Sequence, residues 1–315
     1  MIRVGVDIGG SSIKIGVIED TNGEVLSKKA IPFIYGNIKE NCSNIKSSID
    51  KLLSANNLNI KDVYVIGLGV PGVLDKNKEI ILNAYNLGFN NINIKKEFEN
   101  TFPNTKISIV NDADAAAICE YYFGIFKGKS SAVLLTIGTG LGAGVILSNK
   151  LFCGSKNNGI EIGHMKIETK DDIKCTCGSL GCAEIYTSAK SLDDKMKNLY
   201  KQTGDKIILD TAGGEMENIN AGTAMDLASK NYEPAVKMID EWIDYLSSAI
   251  VNICLFYDPE VIGLGGGIVA SKDYFLPKLI EKVKSQLIIK DDYEIKIAKY
   301  ENDAGFIGAA FACDM

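Results

Sequence analysis

The sequence predicts an α/β fold made of two similarly built domains, with a cleft between them. Three observations support this prediction. The chain opens with three consecutive strands that form a β-meander, and an amphipathic helix follows them. The rest of the chain is predicted to contain both strands and helices to its end. A unit of strand, glycine turn and strand occurs at the N-terminus and again from Ser131, which indicates a duplicated core.

The repeat is most evident at its glycine turn. When Asp7 is aligned with Thr136, Gly9 falls on Gly138. Apolar matches between two strands carry little information, because strands share the same few residue types. A glycine turn in the same register is the stronger sign of a duplication.

Hydrophobic periodicity and turn residues define the elements in chain order. The predicted strands are 3–8, 13–18, 24–30, 63–70, 107–110, 133–137, 143–147, 260–264 and 294–298. The predicted helices are 37–56, 94–101, 114–123, 189–200, 223–229, 233–257, 273–287 and 304–313. Residues 73–85 are predicted to form an extended loop or a hairpin.

We expect residues 1–120 with 300–315 to form a small N-terminal α/β domain, and residues 121–299 to form a larger C-terminal α/β domain.

Composition and charge restrict the classes of function. The chain has 315 residues, of which 46% are hydrophobic and 23% are charged, and its net charge is −6. No long basic run is present, which argues against nucleic acid or an anionic membrane surface as a partner. The N-terminus enters a strand at once, with no signal peptide, and no apolar run reaches the length of a membrane span. We therefore expect a cytoplasmic protein.

Asn111 and Asp112 lie between the end of the strand 107–110 and the start of the helix 114–123. Ligands of open α/β sheets collect at the carboxyl ends of strands, and a helix N-terminus favours an ionised carboxylate. Asp112 is therefore a candidate catalytic base. A helix cap is an equally good interpretation of this stretch taken alone, because Asp is a preferred capping residue.

Three glycine-rich turns follow predicted strands, at 7–11, 138–142 and 265–267. Glycine lets backbone N–H groups approach a phosphate without a Cβ in the way. The second turn matches a loose dinucleotide-binding fingerprint, but that fingerprint must open a helix, and here a strand follows. Turns that join two strands are the form in which actin-like ATPases hold phosphates. Three ordinary tight turns are the alternative.

Asp7 lies in an otherwise apolar part of its strand. A carboxylate there is costly unless it meets water or a cation. Mg²⁺ usually keeps several waters and binds one or two carboxylates together with phosphates. We therefore expect Asp7 to position hydrated Mg²⁺ beside the phosphates of ATP.

His164 is the only histidine of the chain, and Cys175, Cys177 and Cys182 follow it closely. One histidine and three cysteines make a closed tetrahedral site for Zn²⁺ with no open position, so the metal would be structural. In a reducing compartment a cluster of cysteines argues for a metal and against disulfides. Free thiols are the alternative. The expected C-terminal domain would thus carry a zinc-binding loop.

Two glutamates accompany the predicted zinc ligands. Glu161 is three residues before His164, so the two share a face of a helix or turn. Glu184 follows the last cysteine by two residues. Zinc would hold His164, Glu161 and Glu184 around one polar pocket, and the free ring nitrogen of His164 would hydrogen-bond a ligand. Solvated surface is the alternative for both glutamates.

The sequence as a whole resembles the ROK (repressor, open reading frame, kinase) family of sugar kinases. The resemblance runs in order through nearly the whole chain, and E-x-G-H combined with C-x-C-G-x-x-G-C-x-E is its most specific part. The matching segments are DIGGSSIKIG at 7–16, GVPGVLD at 69–75, NDADAAAICE at 111–120, TIGTGLGAGVIL at 136–147, GIEIGHM at 159–165, CTCGSLGCAE at 175–184, DPEVIGLGGGI at 258–268 and AGFIGAAF at 304–311.

The resemblance implies a two-domain actin-like ATPase (ribonuclease H-like) fold and ATP-dependent phosphorylation of a hexose, commonly on O6, with glucose as the expected substrate. Asp112 matches the family's catalytic base. Its sugar-binding positions are matched by Gly72, Asn111, Asp112, Glu161, His164 and Glu184, and its zinc ligands by His164, Cys175, Cys177 and Cys182. Its nucleotide turns are matched by Gly9, Gly10, Ser11, Thr139, Gly140 and Gly266, to which Asp7, Lys14 and Gly138 of the same segments are added as nucleotide-binding candidates.

The sequence departs from the family pattern just before the E-x-G-H element. Asn157, Asn158 and Ile160 lie where the family usually has small residues, and Cys153 replaces a more usual polar or charged residue. These positions lie beside the expected sugar pocket. Kinases of N-acetylmannosamine, N-acetylglucosamine or allose are therefore alternatives to a glucokinase.

A non-catalytic sugar-binding regulator is a further alternative. Repressors that resemble this family carry an N-terminal helix-turn-helix, for which the six residues before Asp7 leave no room. Asp112 and the glycine turns also argue for catalysis. A zinc-dependent interaction module would explain the cysteines alone. We expect a homodimer, since most oligomers are symmetric dimers.

Overall fold

Among the residues that the structure describes, strand pairing forms three sheets. The structure is a computed structural model that describes residues 1–156, 159–288 and 293–315. In these ranges the strands are β1 (Ile2–Ile8), β2 (Ser12–Glu19), β3 (Val25–Pro32), β4 (Val63–Val70), β5 (Val73–Leu74), β6 (Ile81–Ala84), β7 (Phe89–Ile92), β8 (Lys106–Asn111), β9 (Ala132–Ile137), β10 (Leu141–Leu147), β11 (Lys150–Leu151), β12 (Val261–Gly265) and β13 (Glu294–Ile297). The helices are α1 (Ile38–Ala55), α2 (Ile94–Thr101), α3 (Asp112–Phe123), α4 (Ala183–Thr187), α5 (Ala189–Thr203), α6 (Lys206–Thr211), α7 (Ala221–Ser229), α8 (Glu233–Tyr257), α9 (Lys272–Gln286) and α10 (Ala304–Phe311). Short 3₁₀ helices add Ile60–Asp62, Tyr85–Leu87, Ile162–His164, Met216–Asn218, Gly267–Ser271, Glu301–Asp303 and Ala312–Asp314.

The first sheet has the strand order β3-β2-β1-β4-β8. Strands β1, β2 and β3 pair antiparallel, which confirms the predicted meander. Strands β1, β4 and β8 are parallel neighbours, so their carboxyl ends lie at one edge of the sheet. This edge is where a ligand site is expected.

Helix α10 packs against β1, β4 and α3, and three glycines make this close approach possible. They are Gly5 on β1, Gly67 on β4 and Gly308 on α10 itself. A Cβ at Gly67 would overlap the carbonyl oxygen of Ala309, and one at Gly308 would overlap the carbonyl oxygen of Ala115. Helix and sheet are thus in direct backbone contact.

Helices α1 and α2 enclose a separate apolar core with the strands of the first sheet and the hairpin strands. Ile45, Ile49 and Phe98 are fully buried there. They fall on the apolar faces that helical periodicity predicts.

The second sheet has the order β11-β10-β9-β12-β13, and the third has the order β5-β6-β7. Strands β5 and β6 pair antiparallel, so the stretch predicted as a loop or hairpin is a hairpin. The sequence predicts α8 at its observed bounds but misses β7, β11, α4 and α6. These four elements are only two to six residues long, which is too short for a periodic pattern to emerge.

The chain divides into two compact units. The first contains residues 1–134, 144–160 and 298–315, and the second contains residues 135–143 and 161–297. The domain boundaries expected from the sequence stay a prediction.

Within the described ranges, every helix falls short of the length or the hydropathy that crossing a membrane requires.

Candidate functional site

Asn111 and Asp112 join the end of β8 to the start of α3. Asn111 is the N-cap of the helix, and its side chain accepts hydrogen bonds from the amides of Ala113 and Asp114, at 2.9 and 3.4 Å. Asp112 is therefore the first residue of the helix. The interpretation of Asp112 as the helix cap is wrong, because Asn111 is the cap. Its Oδ1 also accepts a hydrogen bond from the amide of Ala113, at 2.9 Å. Asp112 is exposed, whereas the eight residues that follow it are buried.

Gly72 lies just beyond the end of β4, close to Asn111. Its φ of +89° is in the left-handed region that favours glycine. The Asn111 side-chain amide donates a hydrogen bond to the Gly72 carbonyl oxygen, at 3.3 Å. The first unit thus brings together Gly72, Asn111 and Asp112, three of the residues predicted to bind the sugar.

The first glycine turn, Gly9, Gly10 and Ser11, joins β1 to β2. It is closed by a hydrogen bond from the Gly9 amide to the Ser12 carbonyl oxygen, at 3.0 Å. Gly10 and Ser11 are exposed. A ligand can therefore reach the backbone of this turn.

Asp7 precedes the turn and lies opposite Lys14 in the register of β1 and β2. The Lys14 Nζ is 4.0 Å from the Asp7 carboxylate and donates a hydrogen bond to the Asn302 carbonyl oxygen, at 3.0 Å. Gly305, in the first turn of α10, packs so closely that a Cβ there would be 2.8 Å from the Asp7 carboxyl carbon. Burial raises the pKa of Asp7, and the charge of Lys14 offsets part of that rise. Mg²⁺ that keeps most of its waters needs only one or two carboxylates from the protein. Asp7 can therefore serve as a ligand for this cation.

The second glycine turn, Gly138, Thr139 and Gly140, joins β9 to β10. It is closed by a hydrogen bond from the Gly138 amide to the Gly140 carbonyl oxygen, at 3.0 Å, and Thr139 is exposed. Gly266 follows β12 and has a φ of +90°. A Cβ on Gly266 would overlap the carbonyl oxygen of Ile137, so the two turns of the second unit lie side by side.

His164, Cys175, Cys177 and Cys182 form a compact group in the second unit. One ligand atom from each lies within 4.8 Å of the others. The His164 Nδ1 is 3.6 Å from the Cys175 Sγ, and the Sγ atoms of Cys177 and Cys182 are 3.7 Å apart. Two sulfurs bound to one tetrahedral zinc at about 2.3 Å would be about 3.8 Å apart. The four residues predicted as ligands are neighbours, and their spacing fits Zn²⁺.

Glu161 and Glu184 lie beside this group in different ways. Glu161 is exposed and precedes the 3₁₀ helix Ile162–His164. Glu184 is half-buried in the first turn of α4. Its Oε2 accepts a hydrogen bond from the Leu141 amide at 3.2 Å, and its Oε1 is 3.6 Å from the Cys175 Sγ. Glu184 is therefore not a solvated surface residue.

A buried polar cluster in the first unit was not expected from the sequence. Asp114 is 1% exposed, and the Cys153 thiol donates to its Oδ2 at 3.6 Å. The Lys78 Nζ donates in turn to the Cys153 Sγ, at 3.4 Å. Burial, and then the charge of Asp114, raise the pKa of Cys153 to about 11, so this thiol stays protonated at neutral pH. The sequence did contain one sign of this cluster. Asp114 lies in an alanine-rich helix, and alanines indicate a buried face, so a buried carboxylate could have been expected there.

The departure noted at Asn157 and Asn158 lies outside the described residues. Gly159, which follows them, is described, and a Cβ there would be 3.9 Å from the Asp114 Oδ2. The Cys153 and Gly159 positions therefore border the same buried carboxylate.

Known proteins are similar to this chain over nearly its full length. A glucokinase of Halalkalibacterium halodurans is 29% identical over 317 residues, which cover 98% of this chain and 93% of that protein. A xylose repressor of Caldicellulosiruptor bescii is 29% identical over 296 residues, which cover 93% of this chain and 73% of the repressor. Both a kinase and a regulator are thus similar to it at equal identity.

The crystal structure of a ROK family glucokinase from Streptomyces griseus in complex with glucose and AMPPNP superposes with a TM-score of 0.81. The two chains are 27% identical, and the alignment covers 98% of each. This likeness confirms the predicted two-domain actin-like ATPase fold. The family model described as ROK family matches residues 3–314. The chain belongs to the ROK family.

Proposed function

We propose that this protein is an ATP-dependent kinase that phosphorylates a hexose hydroxyl, with O6 of glucose as the expected acceptor. The observation that carries the proposal is Asp112, an exposed carboxylate at the N-terminus of a helix whose next eight residues are buried. A structural acid in that place is not needed for capping, because Asn111 already caps the helix. The similarity to glucokinases supports the same reaction.

In this proposal Asp112 is the catalytic base. Its carboxylate accepts a hydrogen bond from the sugar hydroxyl and takes the proton as the sugar oxygen bonds to the γ-phosphorus. The bond between the γ-phosphorus and the bridging oxygen breaks at the same time, and ADP leaves. Positioning and charge stabilisation supply most of the rate enhancement in such transfers.

The remaining sugar contacts are proposed for side chains that donate and accept hydrogen bonds. Asn111 would orient the sugar beside Asp112, and the loop of Gly72 would line the same pocket. Glu161 and Glu184 would accept hydrogen bonds from hydroxyl groups. The Nε2 of His164 would bind a further hydroxyl, since Nδ1 is the nitrogen that lies beside the Cys175 sulfur.

The glycine turns are proposed to hold the nucleotide. Backbone N–H groups of exposed glycine turns suit phosphate oxygens, and the candidate residues are Gly9, Gly10, Ser11, Lys14, Gly138, Thr139, Gly140 and Gly266. Asp7 would hold hydrated Mg²⁺, which when bound neutralises phosphate charge. His164 with the three cysteines would hold Zn²⁺, which when bound would fix the loop that leads into α4 and Glu184.

An assay of ADP release across a panel of hexoses tests this proposal. We expect activity on at least one hexose, and we expect Asp112→Asn to lower turnover by about 10²- to 10⁴-fold, the usual contribution of a general base. Sugar binding by that variant, measured by calorimetry, should be retained. Glu40→Gln is the matched control, because Glu40 is an exposed acid in the first turn of α1. An Asp112→Asn enzyme with full activity would contradict the assignment.

A sugar-responsive regulator without catalysis is the second candidate, since a xylose repressor is as similar to this chain as a glucokinase. This function predicts sugar binding with no ADP release on any hexose or pentose. Kinases of N-acetylmannosamine, N-acetylglucosamine or allose remain alternatives within the first proposal, and the sugar panel separates them. We also propose a homodimer, which analytical ultracentrifugation can test.

A further inference from the structure

We infer that Glu184 is a positioning residue for the second glycine turn, so that the zinc-binding loop sets the geometry of the nucleotide site as well as of the sugar site. This inference rests on the proposed function and deepens it. All the residues involved belong to the second unit of the chain.

The first argument is the hydrogen bond that Glu184 accepts. The turn Gly138–Gly140 is followed directly by Leu141, whose amide donates to the Glu184 Oε2 at 3.2 Å. Leu141 is buried, so its amide has little access to water as a substitute acceptor. Hydrogen bonds to charged groups are the stronger ones in proteins. The carboxylate therefore fixes the backbone at the point where the turn enters β10.

The second argument is close packing around the same bond. A Cβ on Gly140 would overlap the Glu184 Oε2, and a Cβ on Gly163 would overlap the Leu141 carbonyl oxygen. Gly163 directly precedes His164 in its 3₁₀ helix. Two elements that carry zinc-site residues thus pack against the amide and the carbonyl of the same residue, Leu141.

The third argument is the direction of the other oxygen. The Glu184 Oε1 accepts a hydrogen bond from the Thr176 hydroxyl at 3.4 Å and is 3.6 Å from the Cys175 Sγ. One carboxylate therefore contacts the metal-binding loop with one oxygen and the glycine turn with the other. A shift of the loop must move the turn or break one of these contacts.

The C-terminal side of the same helical segment adds a further link. After α4, the Ala189 amide at the start of α5 donates to the Gly138 carbonyl oxygen, at 2.9 Å. The turn is thus held at both ends, by Glu184 at Leu141 and by α5 at Gly138. Order in the zinc loop and nucleotide binding should consequently be coupled, and coupling of this kind is reciprocal.

The test compares Glu184→Ala with Glu161→Ala in the full-length protein loaded with zinc. Binding of Mg·AMPPNP without sugar is measured by calorimetry. We expect Glu184→Ala to weaken nucleotide binding by about tenfold, the effect of one lost hydrogen bond to a charged acceptor. Glu161→Ala, with no such contact to the turn, should change it by less than about twofold. Glu184→Gln keeps an acceptor oxygen and should recover most of the affinity.

Hydrogen exchange of the turn gives a readout that does not depend on catalysis. We expect the peptide 135–145 to exchange faster in Glu184→Ala, and also in wild-type protein stripped of zinc by a chelator. If Glu184→Ala does not fold, Glu184→Asp, which withdraws the carboxylate by one methylene, provides the same comparison.

Unchanged nucleotide affinity and unchanged exchange in Glu184→Ala would overturn the inference, and so would equal losses in Glu184→Ala and Glu161→Ala. Failure of the proposed function has a different signature. In that case wild-type protein releases no ADP and binds no Mg·AMPPNP, while the exchange of the turn still reports whether Glu184 holds it.

Discussion

Asp7, which we propose to hold Mg²⁺, carries a charge that opposes the stability of the fold. Its carboxylate is largely buried, and burial raises its pKa, so the ionised form costs free energy in the folded state. Lys14 at 4.0 Å compensates only in part. A buried carboxylate whose charge is only partly compensated is expected at a site that binds a cation.

We predict that Asp7→Asn stabilises the protein at pH 7 while it weakens Mg·ATP binding. The neutral amide avoids the burial of a charge, so the free energy of unfolding should rise by about 1 kcal/mol. Because the folded-state pKa is raised, the gain is present above that pKa and disappears as the pH falls to the unfolded value near 3.8. Urea denaturation between pH 4 and pH 7 measures it. A variant that is less stable than wild type at pH 7 would show that the carboxylate has a structural role.

The neighbouring residues Asn111 and Asp112 show what the sequence could not decide. Both are good capping residues, and the position of a helix start is uncertain by one or two residues from sequence alone. The geometry assigns the cap to Asn111 and leaves Asp112 exposed. Residue types were enough to locate this candidate site, but they did not show which of the two adjacent side chains caps the helix.

Among the elements, α10 is the most constrained by its packing. Eight residues long, it packs against β1, β4 and α3 at distances that only glycine allows. Gly308 directly faces the carbonyl oxygen of Ala115. Its role is close approach, and not a special backbone conformation.

We predict that Gly308→Ala destabilises the protein by about 3 kcal/mol, at the upper end of overpacking effects. On an isolated helix the same change would stabilise by up to about 1 kcal/mol, so the sign itself tests the packing argument. Gly267→Ala is the control, since a Cβ there meets no atom within 4 Å. Equal stability of the two variants in urea denaturation would disprove the close contact.

We propose that a bound metal orders the loop that carries Cys175, Cys177 and Cys182. We predict about one zinc per chain by metal analysis of purified protein. Cys177→Ser should lose the metal and sugar binding together, because the loop leads directly into the first turn of α4, where Glu184 lies. Cys313→Ser is the control, as that cysteine lies in the other unit. Folded, active protein that contains no metal would refute this account of the pocket.

The sequence predicts the long secondary-structure elements better than it predicts the contacts within the candidate site. Long periodic elements such as α8 are predictable because their apolar faces repeat over many turns, and Trp242 is fully buried on that face. The clustering of His164 with Cys175, Cys177 and Cys182 is predictable because few residue types ligate zinc. The contact between Glu184 and the Leu141 amide is not predictable. A hydrogen bond between a side chain and a backbone amide that are distant in the chain leaves no pattern in the sequence.

At the scale of the whole molecule, the first unit is assembled from both ends of the chain. Residues 298–315 belong to it together with residues 1–134. Arg3, only 6% exposed, lies at this junction. Its guanidinium pairs with Asp20 and with Asp314, donates to the Ala310 carbonyl oxygen at 3.0 Å, and lies 4.3 Å from the ring centre of Phe311.

We predict that Arg3→Met lowers the free energy of unfolding by at least about 3 kcal/mol, because it leaves Asp20 and Asp314 without their buried partner. Lys28→Met is the matched control: Lys28 also joins the N-terminal sheet to the C-terminal segment, through Asp303, but its side chain is 57% exposed. An exposed pair of this kind contributes less than about 1 kcal/mol. In about 1 M NaCl, where the Debye length is about 3 Å, the Lys28 effect should vanish and most of the Arg3 effect should persist. If both effects vanish in salt, the two ends of the chain are held by the packing of α10 alone, and the buried guanidinium is dispensable.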